Sequence, residues 1–270
     1  MPTKKSAKRR ATSTTSSGLK ICYDRVIPDE YQRARASSER SLLRAMRGTG
    51  LIDISAEPRV MRAAIAVIKK WPDDNREITC SFLDGDATQR KRVEGKARIW
   101  EQYANVKFKF VTGKDAEIRI SFSADTGSWS ALGTDALVER YFPRYQPTMN
   151  FGWLDADTND KEYERVVVHE FGHALGLIHE HQNPDGKLKW KKSEVYRVFS
   201  GSPNFWTKEE IDHNILSKYS PQGIDNTRFD PDSIMLYMFE GSLFTDGKGT
   251  KTNTKLSKMD KEFIAQQYPF

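Results

Sequence analysis

The sequence predicts an α+β fold, because strand-like and helix-like segments both occur and follow no internal repeat. Three segments alternate apolar and polar residues, or nearly so, as half-buried strands do. They are EITCSFL (77–83), VKFKFV (106–111) and EIRISF (117–122), and TMNFGWL (148–154) is a further strand candidate. A chain of 270 residues with 37% hydrophobic and 11% aromatic residues can also bury a full core.

Two longer segments have helical spacing. In the first, between residues 84 and 106, Val93, Ala97, Trp100 and Ala104 lie along one helix face. The second, ERVVVHEFGHALG, is apolar with polar residues at set places. TGSWSALGTDAL (126–137) is predicted to be a loop. The predicted order is therefore strand, helix, strand, strand, strand and helix.

The C-terminal part is less regular and is predicted to contain three short helices. One lies near residues 193–199, and a second begins at Thr207, whose side chain forms a capping box with Glu210. The last begins at Ser257 as N-cap, with Asp260 in its first turn.

Three regions are expected along the chain. Residues 1–17 form a basic disordered tail, and residues 18–70 form a helical extension or a removable pro-segment. WPDDN (71–75) is a break, so the main domain is expected to span residues 71–270.

The basic character of the chain belongs to its tail. Residues 1–17 contain no acidic residue and five cations, which are Lys4, Lys5, Lys8, Arg9 and Arg10. Little of the formal charge of +6 therefore remains for the rest of the chain. Such a run could bind nucleic acid or an anionic surface, or serve as an import signal, but a solvated terminus is favoured. Residues 1–17 lack the apolar core of a secretory signal, and AAIAVI (63–68) is too short to span a membrane. We therefore expect a cytoplasmic protein, or one exported without such a signal.

Cys22 and Cys80 are the only cysteines, which excludes a disulfide-rich scaffold. Two reduced thiols are favoured, and a single bridge between them is the alternative.

The segment HEFGHALGLIHEHQNP (169–184) contains four of the five histidines. His169 and His173 are four residues apart, so on a helix both imidazoles project from one face and can bind one zinc ion. Catalytic zinc sites use three protein ligands and leave a position for water, whereas structural sites usually have four Cys and His ligands. The absence of cysteine favours the catalytic type. Glu170 is then expected beside the metal, where it can move the proton of a water molecule.

Gly176 explains how a third ligand can reach the same metal. In an unbroken helix His179 would lie about 15 Å along the axis from His169. A glycine three residues after His173 adopts the left-handed conformation at a helix end, turns the chain back and lets His179 approach. The whole pattern H-E-x-x-H-x-x-G-x-x-H is too long to be a frequent accident.

This pattern resembles the zinc-binding signature of the metzincin metalloproteases. Glu180, directly after the third histidine, resembles the glutamate that astacins have at this position. The segment GSWSALGTDA (127–136) also resembles an astacin motif. The resemblance covers roughly residues 71–270 and implies a zincin-like fold. Such a fold has a mixed sheet, a backing helix, an active-site helix and an irregular C-terminal subdomain ending in a helix. Ser128 and Leu236 stand where astacins have a cysteine and a histidine, so the match is to a disulfide-poor branch.

The resemblance also implies roles for DPDSIMLY (230–237). Met235 corresponds to the methionine of the Met-turn beneath the metal, and Tyr237 to the tyrosine that reaches the zinc and stabilises the tetrahedral intermediate. Without the family, SIMLY is more simply interpreted as a buried apolar strand end.

The implied function is that of a monomeric zinc endopeptidase with one catalytic zinc ion. The ligands are expected to be His169, His173 and His179, with Glu170 as general base and acid and Tyr237 as an electrophile. The peptide substrate is expected to pair with an edge strand, which we assign to residues 117–122. The alternative is a zinc-stabilised protein that acts through its basic tail on nucleic acid or a protein partner.

Four further residues have open interpretations. His181 is expected to be a polar surface residue, because it is too close to His179 to bind the same metal. In astacins the residue at Glu180 receives the processed amino terminus, and here it either does so or finds another partner. Cys22 or Asp24 could block the metal in a latent form, although neither lies in a recognisable inhibitory motif.

Overall fold

The computed structural model describes residues 23–25, 69–72, 76–124, 127–202, 204–218 and 228–270. The expected tail and Cys22 lie outside this described part, and of the extension expected at residues 18–70 it includes only residues 23–25, 69 and 70. Within it, no helix has both the length and the apolar character that a bilayer crossing requires.

Six strands form one mixed sheet in the order β1-β5-β6-β4-β2-β3. Five pairings hold it together, and only β5 with β6 is antiparallel. The strands are β1 Tyr23–Arg25, β2 Glu77–Phe82, β3 Lys107–Phe110, β4 Ile118–Ser121, β5 Ser128–Ala131 and β6 Met149–Phe151.

Two predictions are wrong: that residues 117–122 form an edge strand, and that residues 126–137 form a loop. β4 lies inside the sheet between β2 and β6, whereas the segment predicted to be a loop contains β5, the strand next to β1. The alternation in β4 is misleading because Arg119 is buried: its guanidinium donates to the carbonyls of Gln146, Ala116 and Phe142. A charged residue can be buried where its donors are satisfied in this way.

The helices predicted after residue 84 are present, but the first ends at Ala97, and a separate 3-10 turn, Trp100–Gln102, follows it. They are α1 Ala87–Ala97, α2 Asp160–Ala174, α3 Lys192–Phe199, α4 Lys208–Ile211 and α5 Lys258–Gln267. The capping boxes of Thr207 with Glu210 and of Ser257 with Asp260 are both formed. A π-helical turn, Asp212–Leu216, continues α4.

The main core lies between the sheet and the two long helices. The apolar face predicted between residues 84 and 106 is buried: Val93 and Ala97 of α1 and Trp100 of the following 3-10 turn have 0% exposure. The Trp100 indole donates to Val168 O on α2, and Phe108 of β3 meets Phe171 of α2 edge to face at 4.8 Å. Cys80 is a free thiol inside this core.

Two distant parts of the chain meet at the C-terminal end of α2. The Trp71 indole donates to Ala174 O at 2.7 Å, and the Tyr268 hydroxyl donates to Leu175 O at 2.8 Å. Tyr268 in turn accepts the backbone N–H of Trp71 at 3.2 Å. The last carbonyls of the helix, which have no partner inside it, are thereby satisfied.

α2 ends in a Schellman turn at Gly176. Gly176 N donates to His173 O at 2.8 Å, Leu177 N donates to Gly172 O at 3.0 Å, and the φ of Gly176 is +95°. The chain therefore reverses immediately after the helix, as the sequence predicts.

We expect Gly176→Ala to lower the free energy of unfolding by about 1–3 kcal/mol, because a side chain strains a backbone at this φ. The nearest heavy atom to an added Cβ is 3.6 Å away, so the strain is conformational and not steric crowding. Urea unfolding followed by tryptophan fluorescence measures it.

The matched control is Gly95→Ala in α1, where an added Cβ meets no atom within 4 Å. The free energy of unfolding of this variant should rise by roughly 0.5–1 kcal/mol, since alanine has less conformational freedom than glycine in the unfolded chain and so loses less on forming the helix. Equal effects of the two substitutions would contradict a special role for the Gly176 turn.

Candidate functional site

Helix α2 carries the first part of the site on its buried face. Asn159 caps the helix by accepting Glu162 N at 3.0 Å, and the helix then runs without interruption to Ala174. His169, Glu170 and His173 are 1%, 0% and 0% exposed. The i, i+4 spacing brings the two histidine rings to 4.7 Å between centroids.

The Gly176 turn supplies the third histidine, as expected. His179 is buried and its Nε2 lies 3.0 Å from His173 Nε2, which is itself 3.1 Å from His169 Nε2. Among the described residues, these three are the group whose side chains could hold a metal ion. The structure therefore brings together all three histidines that the sequence predicts as ligands.

The three imidazoles fit a zinc ion. Tetrahedral ligands about 2.0–2.1 Å from zinc lie roughly 3.3 Å apart, close to the Nε2 separations here. His169 Nδ1 lies 2.8 Å from Ile234 O and His173 Nδ1 lies 2.7 Å from Leu177 O. A ring that donates through Nδ1 has a bare Nε2, the form that binds a metal.

Burial also favours the neutral form of the His169 ring. It lowers the pKa of the His169 imidazole well below its usual value, and the nearby rings of His173 and His179 lower that pKa further. An uncharged imidazole is the state required of a ligand.

The expected Met-turn is present, and it is a turn and not a strand end. Leu236 N donates to Ser233 O, and the buried Met235 packs against α2. A Cβ at Gly172 would lie 2.6 Å from Met235 Sδ, so only glycine allows this approach. Ile234 O holds His169, while Met235 O accepts Glu180 N at 3.0 Å.

Asp260 anchors the Met-turn, a role that the sequence did not reveal. Besides capping α5, its carboxylate accepts the Ser233 hydroxyl at 2.7 Å and Ile234 N at 2.8 Å. Burial raises the pKa of Asp260, and its hydrogen bonds with Ile234, Ser233 and Ser257 oppose that rise. The last helix thus determines where the Ile234 carbonyl meets His169.

Tyr237 lies at the meeting point of the histidines. It is 3% exposed, its hydroxyl contacts His179 Nε2, and its ring centroid is 5.0 Å from that of His169. Sequence reasoning therefore found each residue of this cluster.

Glu180 has a partner other than an amino terminus. It accepts Asn183 Nδ2 at 2.9 Å and the backbone N–H of Asp230 at 2.7 Å. Burial raises the pKa of its carboxyl to about 7, and both hydrogen bonds oppose the rise.

The expectation for His181 is wrong. It is 1% exposed and packs among aromatic rings, with its Nε2 2.9 Å from Asn214 O. Its neighbours Trp190 and Phe239 lie outside the segment of residues 169–184, so spacing within that segment could not reveal the burial. His213 is exposed on the π-helical turn.

Comparison with known proteins agrees with this geometry. The family model for matrixins, peptidase family M10, matches residues 70–186. One structure of myroilysin has a TM-score of 0.72 at 41% identity, with 76% of this chain and 98% of that chain covered. A crystal structure of myroilysin has a TM-score of 0.63 at 34% identity, with 94% and 93% covered.

A more distant structure is high choriolytic enzyme 1, a hatching enzyme zinc-protease from the medaka fish Oryzias latipes. It has a TM-score of 0.47 at 17% identity, with 73% of this chain and 90% of that chain covered. A search of curated proteins finds no match. From the identity and coverage shared with myroilysin and the buried histidine triad, the chain belongs to the metzincin zinc metalloproteases.

Proposed function

We propose that the protein is a zinc endopeptidase whose metal ligands are His169, His173 and His179. The observation that carries the proposal is the meeting of three Nε2 atoms and the Tyr237 hydroxyl at one buried point. When bound there, zinc supplies a Lewis acid that polarises a carbonyl and makes water more acidic.

Glu170 acts as general base and then as general acid. It directly follows His169 on α2 and is fully buried, so its carboxylate is kept out of bulk water. It takes the proton of the attacking water and delivers it to the nitrogen of the leaving amine.

Tyr237 stabilises the negative charge that develops on the scissile carbonyl oxygen. Its hydroxyl can donate a hydrogen bond, and its contact with His179 Nε2 supports a position within reach of that oxygen. Tyr237 and Glu180 together also support an astacin-like branch of the metzincins, which we propose as the finer assignment.

The peptide substrate is proposed to pair with the outer edge of β5. Main-chain hydrogen bonds to an edge strand hold an extended peptide without demanding one sequence, which suits an endopeptidase. In this structure β1 takes that edge, with Tyr23, Asp24 and Arg25 opposite Trp129, Ser130 and Ala131. The N-terminal segment and the substrate therefore compete for one strand edge.

We expect Glu170→Ala to lower kcat for a fluorogenic peptide by roughly 10²–10⁴-fold, because proton transfer is lost. Bound zinc, measured by metal analysis, should stay at one per chain because the three histidines remain. The control is Glu164→Ala on the same helix, which removes a carboxylate paired with Lys96 and should leave kcat unchanged. Cleavage by Glu170→Ala at the parent rate would refute the assigned role.

We expect removal of residues 1–68 to raise kcat/KM at least about tenfold, because the β5 edge then becomes available. The cut leaves Lys69, whose ammonium pairs with the buried Asp135 at 2.9 Å and whose carbonyl accepts Thr134 N. It also leaves Trp71. One myroilysin structure is matched over 98% of its length by 76% of this chain, which supports a folded unit of that smaller extent.

The matched control is removal of residues 1–17, which leaves β1 in the chain and should not change kcat/KM. If both truncated proteins bind zinc and cleave the peptide at the rate of the full chain, the proposed competition is wrong.

A further inference from the structure

His181 belongs to an aromatic wall around Tyr237 that the catalytic assignment leaves without a role. The wall consists of His181, Trp190 and Phe239. The ring of Tyr237 lies 5.5 Å from that of His181 and 5.8 Å from that of Phe239, centroid to centroid. Trp190 closes the wall from behind, 6.3 Å from His181 and 4.9 Å from Phe239.

The orientation of the His181 ring is fixed by a turn elsewhere in the C-terminal part. Its Nε2 faces Asn214 O at 2.9 Å, within the π-helical turn, and a ring nitrogen facing a carbonyl is the donor. The next residue, Gln182, donates to His213 O at 2.7 Å on the same turn. Two consecutive side chains therefore connect the zinc signature to this turn, and only the first contacts Tyr237.

The backbone of Tyr237 is held separately from its ring. Thr250 Oγ1 donates to Tyr237 O and accepts Phe239 N at 2.7 Å. With the backbone held, the position of the phenol oxygen depends on the side-chain torsions, which the surrounding rings restrict. His179 bounds the ring on one side at 4.4 Å, and His181 is the nearest ring of the wall.

We propose that His181 is a positioning residue that acts through the Tyr237 hydroxyl, holding the phenol where it donates to the reacting carbonyl. The inference rests on the proposed function of Tyr237. His181 is too close to His179 in the chain to bind the same metal, and it is hydrogen-bonded to Asn214, so it acts by packing. Small displacements of a catalytic group lower the rate strongly, because the activation free energy depends on how that group is oriented toward the reacting atoms.

A double-mutant cycle on the full-length protein tests the proposal. Tyr237→Phe should lower kcat by roughly 10²-fold or more, as loss of an oxyanion donor does. His181→Ala should lower kcat by about tenfold with KM little changed, since a misplaced phenol donates poorly in the transition state. In the Tyr237→Phe background, His181→Ala should lower kcat by less than about twofold, because the hydroxyl through which it acts is already absent.

His181→Phe keeps a ring in the wall and should restore most of kcat, even though it loses the hydrogen bond to Asn214. Zinc content and thermal unfolding are measured for every variant, and only variants with one zinc per chain enter the cycle. If His181→Ala loses zinc, the cycle is run with His181→Phe and His181→Gln, which differ in whether the ring is kept.

Gln182→Ala is the matched control. It removes a hydrogen bond to the same π-helical turn without touching Tyr237, so its effect on kcat should be equal in the two backgrounds. An equal tenfold loss for His181→Ala with and without the Tyr237 hydroxyl would overturn the inference while leaving the proposed function intact. An unchanged kcat for Tyr237→Phe would overturn the role of Tyr237 and this inference together, whereas the Glu170→Ala result would stand.

Discussion

Three imidazoles can share one metal only if each is neutral and turns the same nitrogen to the same point. In this protein burial favours the neutral form of the first ring, His169, and backbone carbonyls fix which nitrogen the first two rings turn inward. Ile234 O faces Nδ1 of His169, and Leu177 O faces Nδ1 of His173. Because these carbonyls come from two separate turns, the geometry of both turns is part of the metal site. The Gly176 turn presents one carbonyl, and the Met-turn, held by Asp260, presents the other.

Where the structure describes the C-terminal part of the chain, regular elements are short, and side chains partner parts of its backbone. Side chains of residues near the metal donate to or accept from its main chain: Glu180 binds Asp230 N, His181 faces Asn214 O and Gln182 binds His213 O. Such bonds replace the ladders that helices and strands would provide. The short run that follows the third histidine thereby organises a region with few secondary-structure elements.

The site was more predictable from the sequence than the sheet around it. Local geometry decides the site: a spacing of four residues on a helix and a glycine with positive φ place His169, His173 and His179. The features that were missed depend on distant residues. The segment around β5 predicts a loop because it is rich in glycine, serine and threonine, and the segment of β4 predicts an edge strand because buried Arg119 mimics an exposed position.

The contrast between local and distant contacts also explains which side-chain roles in the C-terminal part could be predicted. The capping box of Ser257 and Asp260 could be predicted from the sequence, because capping involves residues only three positions apart. The second role of Asp260 was not, because Ser233 and Ile234 lie more than 25 residues away. The burial of His181 likewise depends on Phe239, on a different turn of the chain.

The cap at the end of α2 bears on the order in which the site can form during synthesis. Tyr268, which binds Leu175 O and Trp71 N, lies 93 residues after Leu175, and Asp260 also lies far downstream of the histidines. A chain emerging from the ribosome has made its metal ligands long before it has made the residues that hold them in place. Contacts of such sequence separation form late in folding. The contacts that hold the end of α2 and the Met-turn in place can therefore form only after the chain has been synthesised through Tyr268.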